Sequence, residues 1–273
     1  DSTLNPARLK WGLSAAGAGY AAGYTWLGFA WYADNRLTGF HWFDDWAEWR
    51  QMDKCGHAYG AYQQSRAIMA LLRWGGAPRA HYLWWGGVAG FLLQSPVEIM
   101  DGFADKWGAS APDLAFNALG SGLALTNELI WREQRIQMKF SFLPSPYAAQ
   151  RPDALGRGAT EILKDYNGQA YWLSYPVKHL LPQGRLREHT PRWLCLSVGY
   201  GADGLLGGYG QEPTDIIAAR EYRQWYIGPG ARTARRLRRP LPGARPAAAG
   251  LVVLPTPPRL HPLPVPQARI PPV

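Results

Sequence analysis

Three uncharged stretches set the terms for how this chain can fold. Residues Trp11 to Ala33, Tyr82 to Val97 and Leu114 to Asn127 contain no Asp, Glu, Lys or Arg. The first is long enough to span a bilayer, which takes roughly 20 apolar residues. It is rich in Gly and Ala rather than Leu, and Ala15, Gly19 and Gly23 recur every four residues. That spacing lets two helix backbones approach closely in a membrane, and it serves equally between soluble helices, so both settings stay open. Gly86 and Gly90 repeat the spacing in the second stretch, and the third is short enough to read as a buried helix. Together the runs predict a mainly α protein, a compact bundle of four or five helices with small residues at the crossings.

The character changes after Ile136. "MKFSFLPSPYAAQRPDALG" reads as a Pro-punctuated connection, and "TEILKDYNGQ" as a short helix running into a Gly turn. In "WLCLSVGY", Leu194, Leu196, Val198 and Tyr200 alternate with Trp193, Cys195, Ser197 and Gly199, the period of a strand with one apolar face. "AYWLSY" and "EYRQWYI" are weaker strand candidates, and the set predicts a small antiparallel β region. "GYGADGLLGGYG" lacks the Lys-Ser/Thr ending of a phosphate loop and reads as a glycine-rich turn. From Gly228 onward Pro, Arg, Ala and Gly dominate, which predicts a disordered C-terminal tail. Its composition is that of GC-rich codons read out of frame, so a frameshift or an unrelated extension is expected there. The expected division is a helical bundle over 1–140, a connection with a small β region over 141–227, and the tail over 228–273.

Charge then excludes one partner. The net charge is +9, but Arg232, Arg235, Arg236, Arg238, Arg239, Arg245, Arg259 and Arg269 all lie in the tail, where no acid occurs. Without those eight charges residues 1–227 stand near +1, too weak a field for phosphate-backbone binding, and nucleic acid is not expected as a partner. The fourteen Trp and fourteen Tyr residues combine apolar bodies with polar edges. They favour interfaces, including membrane–water boundaries, and point to a membrane or envelope component as partner. Cys55 and Cys195 are too few for a disulfide framework and lack zinc-site spacing, leaving room for one bridge. A start at Asp1 fits removal of an upstream signal peptide.

The chemistry-bearing residues border the uncharged runs. Asp53 and His57 are four apart, Glu98 and Asp101 three apart, and Asp113 and Asn117 four apart, so each pair shares a helical face. Asp53 alone suits a first-turn position, where a carboxylate meets free backbone N–H groups. Burying such groups singly is costly, whereas bringing them together satisfies their hydrogen bonds. The expectation is one polar cluster where three helices meet.

At this point the motifs resemble a known family. "MDKCGHAYGAY", "EIMDGF", "WGASAPDLAFNALGSGLAL", "EQRIQMKFSF", "LKDYNGQAYWLS" and "VGYGADGLLGG" together resemble the longer branch of the uncharacterised YfiM-like family of bacterial cell-envelope proteins, over roughly residues 5–227. The pattern Asp-Lys-x-x-His, then Glu and Asp, then Asp-x-x-x-Asn with Gly120 is also similar to the membrane-bound VanZ-like proteins. The resemblance implies the periplasm or the outer membrane and implies no reaction. Shorter members are lipoproteins acylated at an N-terminal Cys, which this chain does not show near Asp1.

Two functions follow. In the first, the cluster locks the helices of a structural or interaction protein. In the second, an envelope hydrolase or transferase acts on a lipid or cell-wall precursor. His57 would then be the general base, oriented by Asp53 or Asp113, while Glu98 and Asp101 hold a metal or activate water. One His among carboxylates favours Mg²⁺, Mn²⁺ or Ca²⁺ over zinc. The motifs Gly-x-Ser-x-Gly, His-Glu-x-x-His and Ser-x-x-Lys are absent, and the sequence names neither a cofactor nor an oligomeric state.

Overall fold

Each uncharged run becomes a helix. The structure, a computed structural model, describes residues 3–32, 35–209 and 221–232. Helix α1 covers Pro6–Tyr32, α2 Met52–Trp74, α3 Arg79–Asp101 and α4 Ala111–Trp131. Four antiparallel strands follow in the sheet order β1 (Gln137–Phe142), β2 (Gln169–Pro176), β3 (Leu194–Asp203) and β4 (Tyr222–Ala231). The expected fold class is what the chain adopts, with short helical turns between the strands.

Small residues decide how close the helices come. A Cβ on Gly90 would collide with the carbonyl of Ala61, and one on Gly120 with the carbonyl of Ala58, so α3 and α4 both press against the backbone of α2. Ser65 completes this crossing, donating to the Gly87 carbonyl at 2.7 Å and accepting from the Gly90 amide at 2.9 Å. The stripe in α1 behaves differently. Gly19 and Gly23 have nothing within 4 Å of a notional Cβ, and Ala15 is exposed. Helix α1 instead leans on the bundle through Gly12 against Leu71 and through the Tyr20 and Tyr24 hydroxyls, which donate to the carbonyl of Leu93. Among the described residues no helix is long and apolar enough to cross a membrane; the Gly and Ala content of α1 holds its apolarity down.

The sheet packs one end of its apolar face on α2. Phe140, Tyr171, Tyr200 and Trp225 stand side by side across the four strands. The ring of Tyr59 on α2 lies 5.7 Å from that of Phe140 and 5.9 Å from that of Tyr171. The other face curls on itself. Lys139 of β1 donates to the carbonyl of Ala231 in β4 at 2.6 Å, and the Trp172 indole donates to Ser141 Oγ at 3.0 Å. This corrects the expected burial of β3: Cys195 and Ser197 are buried beneath the curl, whereas Leu196 and Val198 are 41 % and 46 % exposed.

The boundaries also differ from the sequence reading. Strand β1 begins at Gln137, inside the expected helical segment, and β4 runs to Ala231, past the expected limit at 227, because the ladder with β3 continues through Gly228–Ala231. The rest of the expected tail, from 233, lies outside the described residues. Cys55 and Cys195 are free thiols and form no bridge. The glycine-rich turn is pinned by Asn167, which accepts from the amide of Leu205 and donates to its carbonyl.

Candidate functional site

The polar cluster begins where α2 begins. Trp49, Arg50 and Gln51 precede it with φ values of 47°, 52° and 64°, three successive side-chain-bearing residues in the left-handed region. Each such residue costs about 1 kcal/mol or more, so the turn persists only because its surroundings hold it. The amide of Trp49 donates to the Gly208 carbonyl at 2.7 Å, Gln51 Nε2 donates to the Trp46 carbonyl at 2.7 Å, and the Tyr200 hydroxyl donates to the Arg50 carbonyl. The reversal brings Asp45 against the first turn of α2, where Asp53, Lys54 and His57 project.

Lys54 is the centre. Its side chain is fully buried, yet its ammonium donates to Asp45 Oδ2, lies 3.2 Å from Asp53 Oδ2 and 2.8 Å from Asp113 Oδ1. Asp45 also accepts from Ser110 Oγ at 2.6 Å. Ser110 caps α4 by accepting from the Asp113 amide at 3.0 Å, and its own amide donates to Glu98 Oε2 at 2.9 Å. One cation thus ties the segment before α2, the start of α2 and the start of α4, and Ser110 carries the network on to the end of α3. From the sheet side, the Tyr166 hydroxyl donates to Asp53 Oδ1 at 2.9 Å.

His57 sits on the second tier of the same network, with 12 % of its side chain exposed. Its Nδ1 is 3.2 Å from Asn117 Oδ1 and 3.6 Å from Glu98 Oε1; its Nε2 is 3.9 Å from Asp53 Oδ1 and 3.8 Å from Asp113 Oδ2. Four of the other five residues singled out in the sequence therefore stand around the His57 imidazole. Asp101 turns away to α1, accepting from the Tyr32 hydroxyl at 2.6 Å.

Burial and charge divide the protons among these groups. Burial first, and then repulsion from Asp113, pushes the Glu98 carboxyl up to about 8 despite His57. Burial and the neighbouring Asp53 push Asp113 up to about 9 against the pull of Lys54. Burial raises Asp101 to about 6. Asp53 goes the other way: burial opposes its charge, but His57, Lys54 and the Tyr166 hydroxyl outweigh it and hold the carboxyl below its ordinary value. Lys54 stays charged because the ionised Asp53 overcomes the cost of its burial, with Asp113 adding to it once it loses its proton. At neutral pH Glu98 and Asp113 keep their protons and Asp53 does not.

Such a set can store protons, and Asp53, His57 and Asp113 offer ligand atoms within 4.8 Å of one another, a possible seat for a cation. The Lys54 ammonium already faces two of those carboxylates. Glu98 Oε1 and Asn117 Nδ2 are buried without a hydrogen-bond partner. The apolar groove of ≈ 330 Å³ on the sheet, lined by Val177, Leu194, Leu196, Ile227 and Pro229, includes none of these residues.

Sequence reasoning missed Lys54, Asp45, Ser110 and Tyr166 as members. Lys54 had a signal, a lysine one position after Asp53 at the start of a core helix. Asp45 sits in "FHWFDDWAEWR", whose alternation of aromatic rings and acids reads as an amphipathic surface segment, Ser110 lies outside any periodic segment, and nothing in the sequence pairs Tyr166 with α2.

Residues 40–128 match the model of a family described as predicted periplasmic lipoprotein (DUF2279). The matched stretch holds all six candidates together with Asp45, Lys54 and Ser110. The description agrees with the expected cell-envelope setting on the periplasmic side; it names no outer-membrane location and no reaction. No curated protein and no solved structure matches the chain.

Proposed function

We propose that the protein is a structural or interaction component of the cell envelope, in which the network around Lys54 locks the helical bundle to its flanking segments. One observation carries this reading: a fully buried ammonium fills the middle of the carboxylate group. A buried charge held by several partners fixes one arrangement of the elements that supply them, and removing a partner leaves the rest uncompensated. The six sequence motifs further support kinship with the YfiM-like proteins and, through Asp-Lys-x-x-His, with the VanZ-like proteins.

The closeness of Asp53, His57 and Asp113 favours one second reading, a metal-assisted hydrolase or transferase acting on a lipid or cell-wall precursor. In that reading Asp53, His57 and Asp113 would hold the ion, which would activate water, and protonated Glu98 would donate to the leaving group. Elemental analysis of the purified protein, joined to unfolding of His57→Ala, separates the two. The lock predicts no stoichiometric metal and a destabilised variant. Stoichiometric Mg²⁺, Mn²⁺ or Ca²⁺ with a variant of unchanged stability would favour the enzyme.

A further inference from the structure

The surface formed by α1 and α3 has the chemistry of a lipid-facing interface. No residue of α1 is buried, and from Trp11 to Tyr32 it carries no charge, while Trp11 and Phe29 are 72 % and 73 % exposed. Beside it, α3 exposes Trp85, Leu92 and Ile99, spaced seven apart and so on one helical stripe. At one end of this surface the chemistry becomes cationic. The Arg8 guanidinium lies 5.5 Å over the Trp74 ring, and Lys10 and Arg79 are exposed nearby at the starts of α1 and α3. The buried Glu128 carboxylate pairs with Arg73 at 2.7 Å, and Arg79 reaches the Glu128 backbone carbonyl at 3.4 Å.

We propose that the outer faces of α1 and α3 dock onto the anionic leaflet of a lipid bilayer, with Trp11, Trp85 and Leu92 entering the interfacial layer and Arg8, Lys10 and Arg79 meeting lipid phosphates. Tryptophan beside cations at the edge of an uncharged surface is the pattern that headgroups select, since the indole takes the wet–dry boundary and the cation the phosphate. Docking in the plane of the interface also agrees with helices that are not apolar enough to cross. The surface lies apart from the Lys54 network, and the proposal stands or falls independently of the lock.

The test is sedimentation of the purified protein with vesicles of phosphatidylethanolamine and phosphatidylglycerol (3:1), against vesicles of phosphatidylcholine alone. Binding to the anionic vesicles is expected, weakened at least tenfold by the pair Trp85→Glu and Leu92→Glu, and made less salt-sensitive by Lys10→Glu. Absence of wild-type binding, or equal binding by the paired variant, would overturn the proposal. So would light scattering that shows a wild-type dimer turned monomeric by the pair while vesicle binding is unchanged. Should the paired variant not fold, quenching of wild-type tryptophan fluorescence by brominated phosphatidylglycerol decides: quenching supports docking and its absence refutes it.

Discussion

Tyr166 donates its hydroxyl to Asp53 Oδ1 across 2.9 Å, so a residue at the entrance to the sheet helps hold the first turn of the central helix. The acceptor is an ionised carboxylate, and a hydrogen bond to a charged group is worth about 1.5–3 kcal/mol. Tyr166→Phe should lower the free energy of unfolding in urea by that amount with no change in the dependence on urea concentration.

Lys54→Met should cost more. It leaves Asp45 and Asp53 facing each other in the interior, and breaking a buried pair from one side costs about 3–5 kcal/mol. The loss should shrink as the pH falls towards 4, because Asp53, which Lys54 helps hold below its ordinary value, takes up a proton more readily once the cation is gone. Unfolding midpoints of wild type and variant at pH 7 and pH 4 check both parts.

The raised carboxyls set the pH dependence between 5 and 8. An ordinary glutamate releases its proton near 4.5 and an ordinary aspartate near 3.8, whereas Glu98 keeps its proton to about 8 and Asp113 to about 9. The folded state therefore binds more protons than the unfolded one in this window, and stability falls as the pH rises through it. Each retained proton contributes a slope of about 1.4 kcal/mol per pH unit. Glu98→Gln, which preserves an acceptor for the Ser110 amide, should flatten the profile and gain on wild type towards pH 8. Urea titrations across the window measure it.

Gly120→Ala introduces a methyl where the Ala58 carbonyl stands. Overpacking of this kind costs about 1–3 kcal/mol. Gly19→Ala, in open space on a helix, should instead be neutral or stabilising by up to about 1 kcal/mol. Thermal unfolding of the two variants should move in these different directions.

Much of this was legible in the sequence, and the exceptions have physical causes. The uncharged runs marked α1, α3 and α4, and pairs of polar residues at their borders pointed to a common meeting place. The four-residue spacing of small residues identified the crossing at Gly90 but said the same of Gly19, because spacing records what a helix could pack against and not whether a neighbour is there. Alternation in β3 identified a strand, yet it could not foresee that the curl held by Lys139 and Trp172 would cover the face of Cys195 and Ser197. Asp45 and Ser110 escaped because their roles come from tertiary neighbours, Lys54 and Glu98, rather than from local pattern.

The most direct test is a double-mutant cycle between Lys54 and Asp45, using Lys54→Met, Asp45→Asn and the combination, read by urea unfolding at pH 7. If the ammonium is the tie that organises the bundle, the combined variant should recover about 1 kcal/mol or more relative to the sum of the single losses, as coupled buried groups do. Strictly additive losses would mean that the two charges do not sense each other, and the lock would have no centre.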